Sequence, residues 1–137
     1  MATVRIFLLT YRRPHLLRRA LRSLLSQTFE DWVCELHNDD PYDPEPGRVL
    51  AQHHDPRITL VQHTQNLGPV ASFNLAYRGG PEPYFSLLED DNWWEPSFLE
   101  KAISAIESNL QASCVWSNMR LCRESPDGTW RNTDRTI

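Results

Sequence analysis

Apolar positions along the chain follow two rhythms, and their alternation predicts the elements. Residues 4–9 form a short apolar run interrupted only by Arg5, the pattern of a strand buried on both faces, and Thr10, Tyr11 and Pro14 end it. From Pro14 onward the apolar residues fall at Leu16, Leu17, Ala20, Leu21, Leu24 and Leu25, with Arg18, Arg19 and Arg22 on the other side. That stripe predicts an amphipathic helix, and Pro14 suits its first turn, where no N–H donor is needed. Residues 32–37 read as a second strand running into Asn38-Asp39-Asp40-Pro41, 48–54 as a short helix, and 58–62 as a third strand. A helix over 70–77 is introduced by Asn66-Leu67-Gly68-Pro69. Residues 84–88 form a fourth strand entering Glu89-Asp90-Asp91-Asn92, after which Pro96 opens a helix with Phe98, Leu99, Ala102, Ile103 and Ile106 on one face. Residues 114–118 read as a fifth strand, and 119–137 as a hairpin around Pro126-Asp127-Gly128.

Strands that alternate with helices pair in parallel, because each parallel pair needs a crossover. The expected class is therefore α/β, a mostly parallel sheet flanked by helices. Ligands in such sheets bind beyond the carboxyl ends of the strands, which singles out the loops 10–13, 38–43 and 89–92. Two of the three are acidic.

A length of 137 residues with 40% hydrophobic and 23% charged positions fits one ordinary soluble domain. Fourteen basic against 18 acidic residues give a net charge of −4, and the densest group of arginines, Arg12 to Arg22, is confined to one segment rather than spread as a basic stripe, so no nucleic-acid partner is expected. Cys34, Cys114 and Cys122 match no CxxC spacing and lie in or beside apolar runs, which reads as reduced, buried thiols and a cytoplasmic setting. The N-terminal run carries Arg5 and is far shorter than the roughly twenty apolar residues of a membrane span. The five histidines lack the clustered spacing of a zinc site.

Glu89, Asp90 and Asp91 crowd like charges at a strand end, a cost that a cation relieves. Hard oxygen ligands select Mg²⁺ or Mn²⁺, which complete their shells with water and substrate phosphates. The same loop also reads as a solvated acidic turn ahead of the next helix, and Asn38-Asp39-Asp40 as a local turn former. The prolines at 41, 44 and 46 and the missing spaced ligands exclude an EF-hand. No GxGxxG and no GxxxxGK[ST] follows the first strand. Arg12 and Arg13 at a helix N-terminus either hold an anion or are simply solvated.

Thr10-Tyr11-Arg12-Arg13-Pro14 with the leucine-rich helix ending Ser26-Gln27-Thr28 resembles the opening of family 2 glycosyltransferases. In the same order, Asn38-Asp39-Asp40 resembles that family's "DDGS" loop and Asn66-Leu67-Gly68 with Ala71, Asn74 and Ala76 its "N-x-G…A-x-N…A" segment. Leu88-Glu89-Asp90-Asp91-Asn92 with Pro96, Phe98 and Leu99 resembles its "LDDDD…P-x-x-L" motif. The resemblance implies a GT-A-like, Rossmann-related fold and an inverting transfer of sugar from a nucleotide diphosphate, UDP-sugar first among donors, to a saccharide, lipid or protein acceptor. It implies Thr10, Tyr11, Arg13, Asp39, Asn66 and Asp90 as donor-binding residues, Asp39 facing the base. Glu89 and Asp91 are then the acids of a DxD motif holding Mn²⁺ or Mg²⁺. Asn38, Pro41, Glu89 and Trp93-Trp94 depart from the family pattern. Glu124, Asp127 and Asp134 sit in no matching motif, so the catalytic base is expected beyond residue 137 and the chain is read as a donor-binding fragment. A non-catalytic nucleotide-sugar-binding domain is the alternative, and a nucleotidyltransferase lacking its Gly-rich loop a further one.

Overall fold

The computed structural model describes residues 1–137. Strand β1 (Val4–Thr10) is the centre of the architecture, and all its residues except Arg5 are buried. It pairs in parallel with β2 (Trp32–Asn38) on one side and β4 (Tyr84–Glu89) on the other, and β3 (Ile58–Gln62) adds to β2. The resulting order is β3-β2-β1-β4, all parallel. A central parallel strand faces helices on both sides, which is why its sequence reads as continuous apolar rather than alternating. Helix α1 (Pro14–Leu25) turns Leu17, Ala20, Leu21 and Leu24 inward as its stripe predicts. Each fully buried leucine contributes about 1.5–3 kcal/mol.

The Gln27-Thr28 exit of α1 has a structural task. Gln27 is buried; its Nε2 donates to the carbonyls of Ser23 and Glu95, and its Oε1 accepts from Leu99 N–H at 3.0 Å. Thr28 N–H donates to Pro96 O. One amide thus ties the end of α1 to the turn after the acidic loop.

The chain divides into two compact units, Met1–Glu100 and Lys101–Ile137. The first holds the sheet, α1, α2 (Glu45–Ala51) and α3 (Gly68–Ala76). Helix α4 (Phe98–Glu107) runs across the division, and the second unit carries an antiparallel hairpin of β5 (Arg120–Glu124) and β6 (Trp130–Thr136). No helix is long and apolar enough to cross a membrane.

Three expectations are corrected. Helix α2 starts at Glu45, not 48, because Pro44 and Pro46 fit the first turn, where missing N–H groups cost nothing. Residues 114–118 form no strand: Val115 and Trp116 are exposed and nothing pairs with them, so an apolar run alone makes no ladder. All three cysteines are free, but only Cys34 is buried; Cys114 is exposed and Cys122 intermediate.

Candidate functional site

The sheet's hydrogen bonding continues past the strand ends and fixes the loops. Asp39 N–H donates to Thr10 O, Asp90 N–H to Leu9 O, and His63 N–H to Asn38 O, each at 3.0–3.1 Å. The first loop residues of β2 and β4 are thereby held on either side of Thr10. Asn38 is fully buried and braces its own loop, donating to Asp43 O and Gln62 Oε1 and accepting from Asp40 N–H.

Asp90 points inward. Its Oδ2 accepts from Thr10 Oγ1 at 2.8 Å and from Tyr11 N–H at 3.3 Å, and Arg13 Nη2 lies 2.6 Å from Oδ1. Burial pushes the Asp90 carboxyl up, against the Thr10 bond and the Arg13 charge. Arg13 also reaches Asp91 Oδ2 at 3.0 Å, a pair more than two-fifths exposed on both sides. Arg12 sits in the left-handed region (φ 55°) and pairs with Asp40, whose carboxyl is held below the usual range by that contact and by Tyr42 N–H. Trp93 and Trp94 pack on helices: Arg19 lies over the Trp93 ring and Trp94 stacks on Phe98 at 4.7 Å.

Asp39 is more enclosed than its expected role of facing a ligand suggests, at 7% exposure. Oδ1 accepts from His63 Nδ1 and Leu67 N–H, both 2.8 Å; Oδ2 accepts from Asn66 Nδ2 at 3.0 Å and Gly68 N–H at 2.9 Å. Four donors fill the four lone-pair sites of a carboxylate. No side chain of its own segment caps α3, so this distant aspartate does, and Gly68 takes φ 78°, which a residue with a Cβ adopts only under strain. Burial alone raises the Asp39 pKa; the bonds from His63, Leu67 and Gly68 outweigh it and hold the carboxyl below its usual range.

A cleft of about 270 Å³ opens among these groups, at the carboxyl ends of the strands. Thr10, Tyr11, Arg13, Asp39, Asn66 and Glu89 border it, whereas Asp90 lies behind the wall and Asp91 outside it. Burial, and then repulsion from Asp91, push the Glu89 carboxyl up, with Arg13 opposing. No cation stands within ion-pair distance of Glu89; its carboxylate accepts from Asn92 Nδ2 at 3.2 Å. No three His, Cys, Asp or Glu side chains converge as a ready-made metal centre. Two carboxylates do suit Mg²⁺ or Mn²⁺, which bind through one or two and take the rest from water and phosphate.

The cleft also has walls that the motifs did not mark: His37, Pro69, Phe73 and Ser72. Ser72 is 5% exposed and its hydroxyl has no hydrogen-bond partner. Its place on α3, next to the Asn66-Leu67-Gly68 turn, was the available signal.

The pattern of glycosyl transferase family 2 matches residues 6–136. The chain is 32% identical over 114 residues to the succinoglycan biosynthesis protein ExoW of Rhizobium meliloti (strain 1021), a match covering 79% of this chain and 34% of that protein. The chain thus spans about a third of that relative's length. Its fold is similar to the mannosyltransferase PcManGT from Pyrobaculum calidifontis, solved with GDP-Man and Mn²⁺, at TM-score 0.66 and 21% identity over 77% of this chain and 32% of that one. It is similar also to S. aureus TarS 1–349 in complex with UDP-GlcNAc, at TM-score 0.68 and 18% identity over 77% and 31%. These likenesses are of fold, that of GT-A glycosyltransferases. With the family pattern running through nearly its whole length, and the acidic loops set at the ends of a parallel sheet, the chain belongs to glycosyl transferase family 2.

Proposed function

We propose that residues 1–137 are the nucleotide-sugar-binding part of an inverting glycosyltransferase of the cytoplasm, with a UDP-sugar as donor. The observation that carries this is the cleft itself: strand-end loops bring Thr10, Tyr11, Arg13, Asp39 and Asn66 to its wall together with a Glu89 carboxylate that has no cation. Glu89 and Asp91 would hold Mn²⁺ or Mg²⁺, Asp91 turning from Arg13. When bound, such a cation supplies Lewis-acid stabilisation of charge on a diphosphate.

The chain's own residues bind and orient. Of the four donors on Asp39, two are backbone N–H groups and His63 is held by a second side chain, whereas Asn66 Nδ2 is held otherwise only by the Asp39 backbone carbonyl at 3.0 Å, so Asn66 is the donor to swing away. A base N–H then takes its place at Oδ2, and Asn66 turns to the ligand. Thr10, through Asp90, keeps the Tyr11 turn in position over the nucleotide, and Arg13, released from Asp91, faces phosphate. The acceptor, a saccharide, lipid or protein hydroxyl, and the base that takes its proton are assigned to no residue of this stretch.

Calorimetric titration with UDP-, GDP- and ADP-sugars in Mn²⁺ tests the reading. Saturable heat with a UDP-sugar, lost on chelation by EDTA, is expected; no heat with any donor at millimolar concentration overturns it. Transfer or donor hydrolysis separates an enzyme from a domain that only binds.

A further inference from the structure

From Asp39 a line of side chains, buried at His63 and His37 and part exposed at Glu35 and Arg5, runs along the sheet. Arg5 holds Glu82 through two bonds, Nε to Oε2 at 2.6 Å and Nη2 to Oε1 at 2.8 Å, and grips Glu35 with Nη1. Glu35 Oε2 meets His37 Nε2 at 3.1 Å, His37 Nδ1 meets His63 Nε2 at 3.0 Å, and His63 Nδ1 meets Asp39 Oδ1 at 2.8 Å. Both imidazoles are more than nine-tenths buried. The charged groups facing the pair are Glu35 from β2, Arg5 from β1 and Glu82 ahead of β4 through it, Asp39 from the loop, and Arg13 and Glu89 across the cleft.

The protons can be counted. Three gaps, Glu35–His37, His37–His63 and His63–Asp39, each need one hydrogen, and two neutral imidazoles supply two. One gap is short unless the pair takes up a third proton, which burial opposes at His37. The shortage cannot fall at Asp39: its Oδ1 is fixed by Leu67 N–H and would face a bare nitrogen lone pair at 2.8 Å. It falls at Glu35, which is part exposed and whose other oxygen is held by Arg5. A third proton, when it comes, enters at His37 Nε2 and leaves the His63 end unchanged.

We propose that His63 is a positioning residue for the nucleotide: His37 locks it in the Nδ1–H form, and that hydrogen orients the Asp39 carboxylate and the Leu67-Gly68 turn at the cleft wall. The proposal rests on the reading of Asp39 as the contact to the base. Two substitutions divide the ring's functions. In His63→Asn the side-chain amide stands near the place of Nδ1 and still donates to Asp39, while in His63→Gln it stands near Nε2 and meets His37 instead.

The test has two arms, both on the whole chain. In the first, ¹⁵N NMR of the imidazoles at neutral pH in the ligand-free parent is expected to show the hydrogen on Nδ1 of both His37 and His63, the less common form of free imidazole. An Nε2–H form of His63 overturns the proposal without any variant. In the second, UDP in Mn²⁺ is titrated into the parent, His63→Asn, His63→Gln and Asp39→Asn, each checked for an intact fold by its melt. His63→Asn is expected to bind about tenfold more tightly than His63→Gln, the scale of one hydrogen bond to a charged group. Equal affinities for those two, with a loss in Asp39→Asn, overturn the role of His63 alone. Parental affinity in Asp39→Asn overturns the base contact, and the positioning role with it.

Discussion

Glu89 and Asp91 give the sharpest test of the binding reading, because the alternative of a solvated acidic loop predicts a different response. Glu89 is half-buried, has no cation in ion-pair range, and has its carboxyl pushed up by burial and by Asp91. A raised carboxyl pKa means that the folded chain keeps a proton the unfolded chain has released. Stability therefore increases as pH falls through the folded value, and the penalty stands in full above it. Glu89→Gln should accordingly raise the melting temperature of the ligand-free protein at pH 7, by a margin that shrinks toward the ordinary carboxyl range of about 4.3. Asp91 differs: its pair with Arg13 is over two-fifths exposed, and exposed pairs contribute about 0–1 kcal/mol. Asp91→Asn should thus leave the ligand-free melt nearly unchanged. With UDP and Mn²⁺ at about a hundred times the dissociation constant, the parent gains roughly 2.7 kcal/mol, a rise of about 2–8 °C for a chain of this size. Asp91→Asn should lose the Mn²⁺-dependent part of that rise and Glu89→Gln a smaller share. A thermal melt of the three proteins, with and without ligand, decides it. An acidic loop with no site predicts the ligand-free effects but no ligand shift. No shift for the parent at millimolar UDP and Mn²⁺ would falsify the metal-assisted reading.

Leu21 is fully buried on α1, so Leu21→Ala should cost about 2–5 kcal/mol in urea unfolding with nucleotide binding kept in the folded fraction; a loss under about 1 kcal/mol would mean the stripe is not a core face. Asp39→Ala should weaken UDP binding and also destabilise, since it strands buried donors at about 1–3 kcal/mol each; unchanged affinity in a folded variant refutes the base contact. The depressed Asp39 carboxyl contributes stability above its ordinary pKa that is lost as pH falls through the folded value, so the acid limb of the parent's stability profile should be shallower in Asp39→Ala. Ser72→Ala should reduce UDP affinity without lowering the melting temperature, because it removes a buried hydroxyl that bonds to nothing in the protein; a lower melting temperature with unchanged affinity would assign Ser72 to the fold instead.

Strand β1 was legible because a central parallel strand buried on both faces leaves a nearly continuous apolar run, and the shorter runs of β2, β3 and β4 because turn residues bound them; Ile58–Gln62 matches the expected span residue for residue. Helix α1 was legible from its stripe. The run at 114–118 failed by the same criterion, since hydrophobicity reports an appetite for burial and not a pairing partner. Loop positions also followed from pattern: the exits of β1, β2 and β4 all lie at the same end of a parallel sheet.

Side-chain direction within those loops is where single-sequence reasoning divides. Along the exit of β4 the pleat still alternates, so Glu89 borders the cleft while Asp90 turns inward to Thr10 and Arg13. The last ladder bond, Asp90 N–H to Leu9 O, is enough to separate an inward Asp90 from Glu89, whereas Asp91 lies in the turn beyond it. Asp39 and His63 need more. In the β2–β3 register Asn38 lies opposite Gln62, and one residue further Asp39 lies beside His63, 24 positions away. Nothing in one sequence fixes that register, so His37 and His63 read as isolated polar residues although each completes the other's hydrogen bonding. The motif marks the aspartate; the pairing of two strands determines which donors hold it, and so how much of it is left for a ligand.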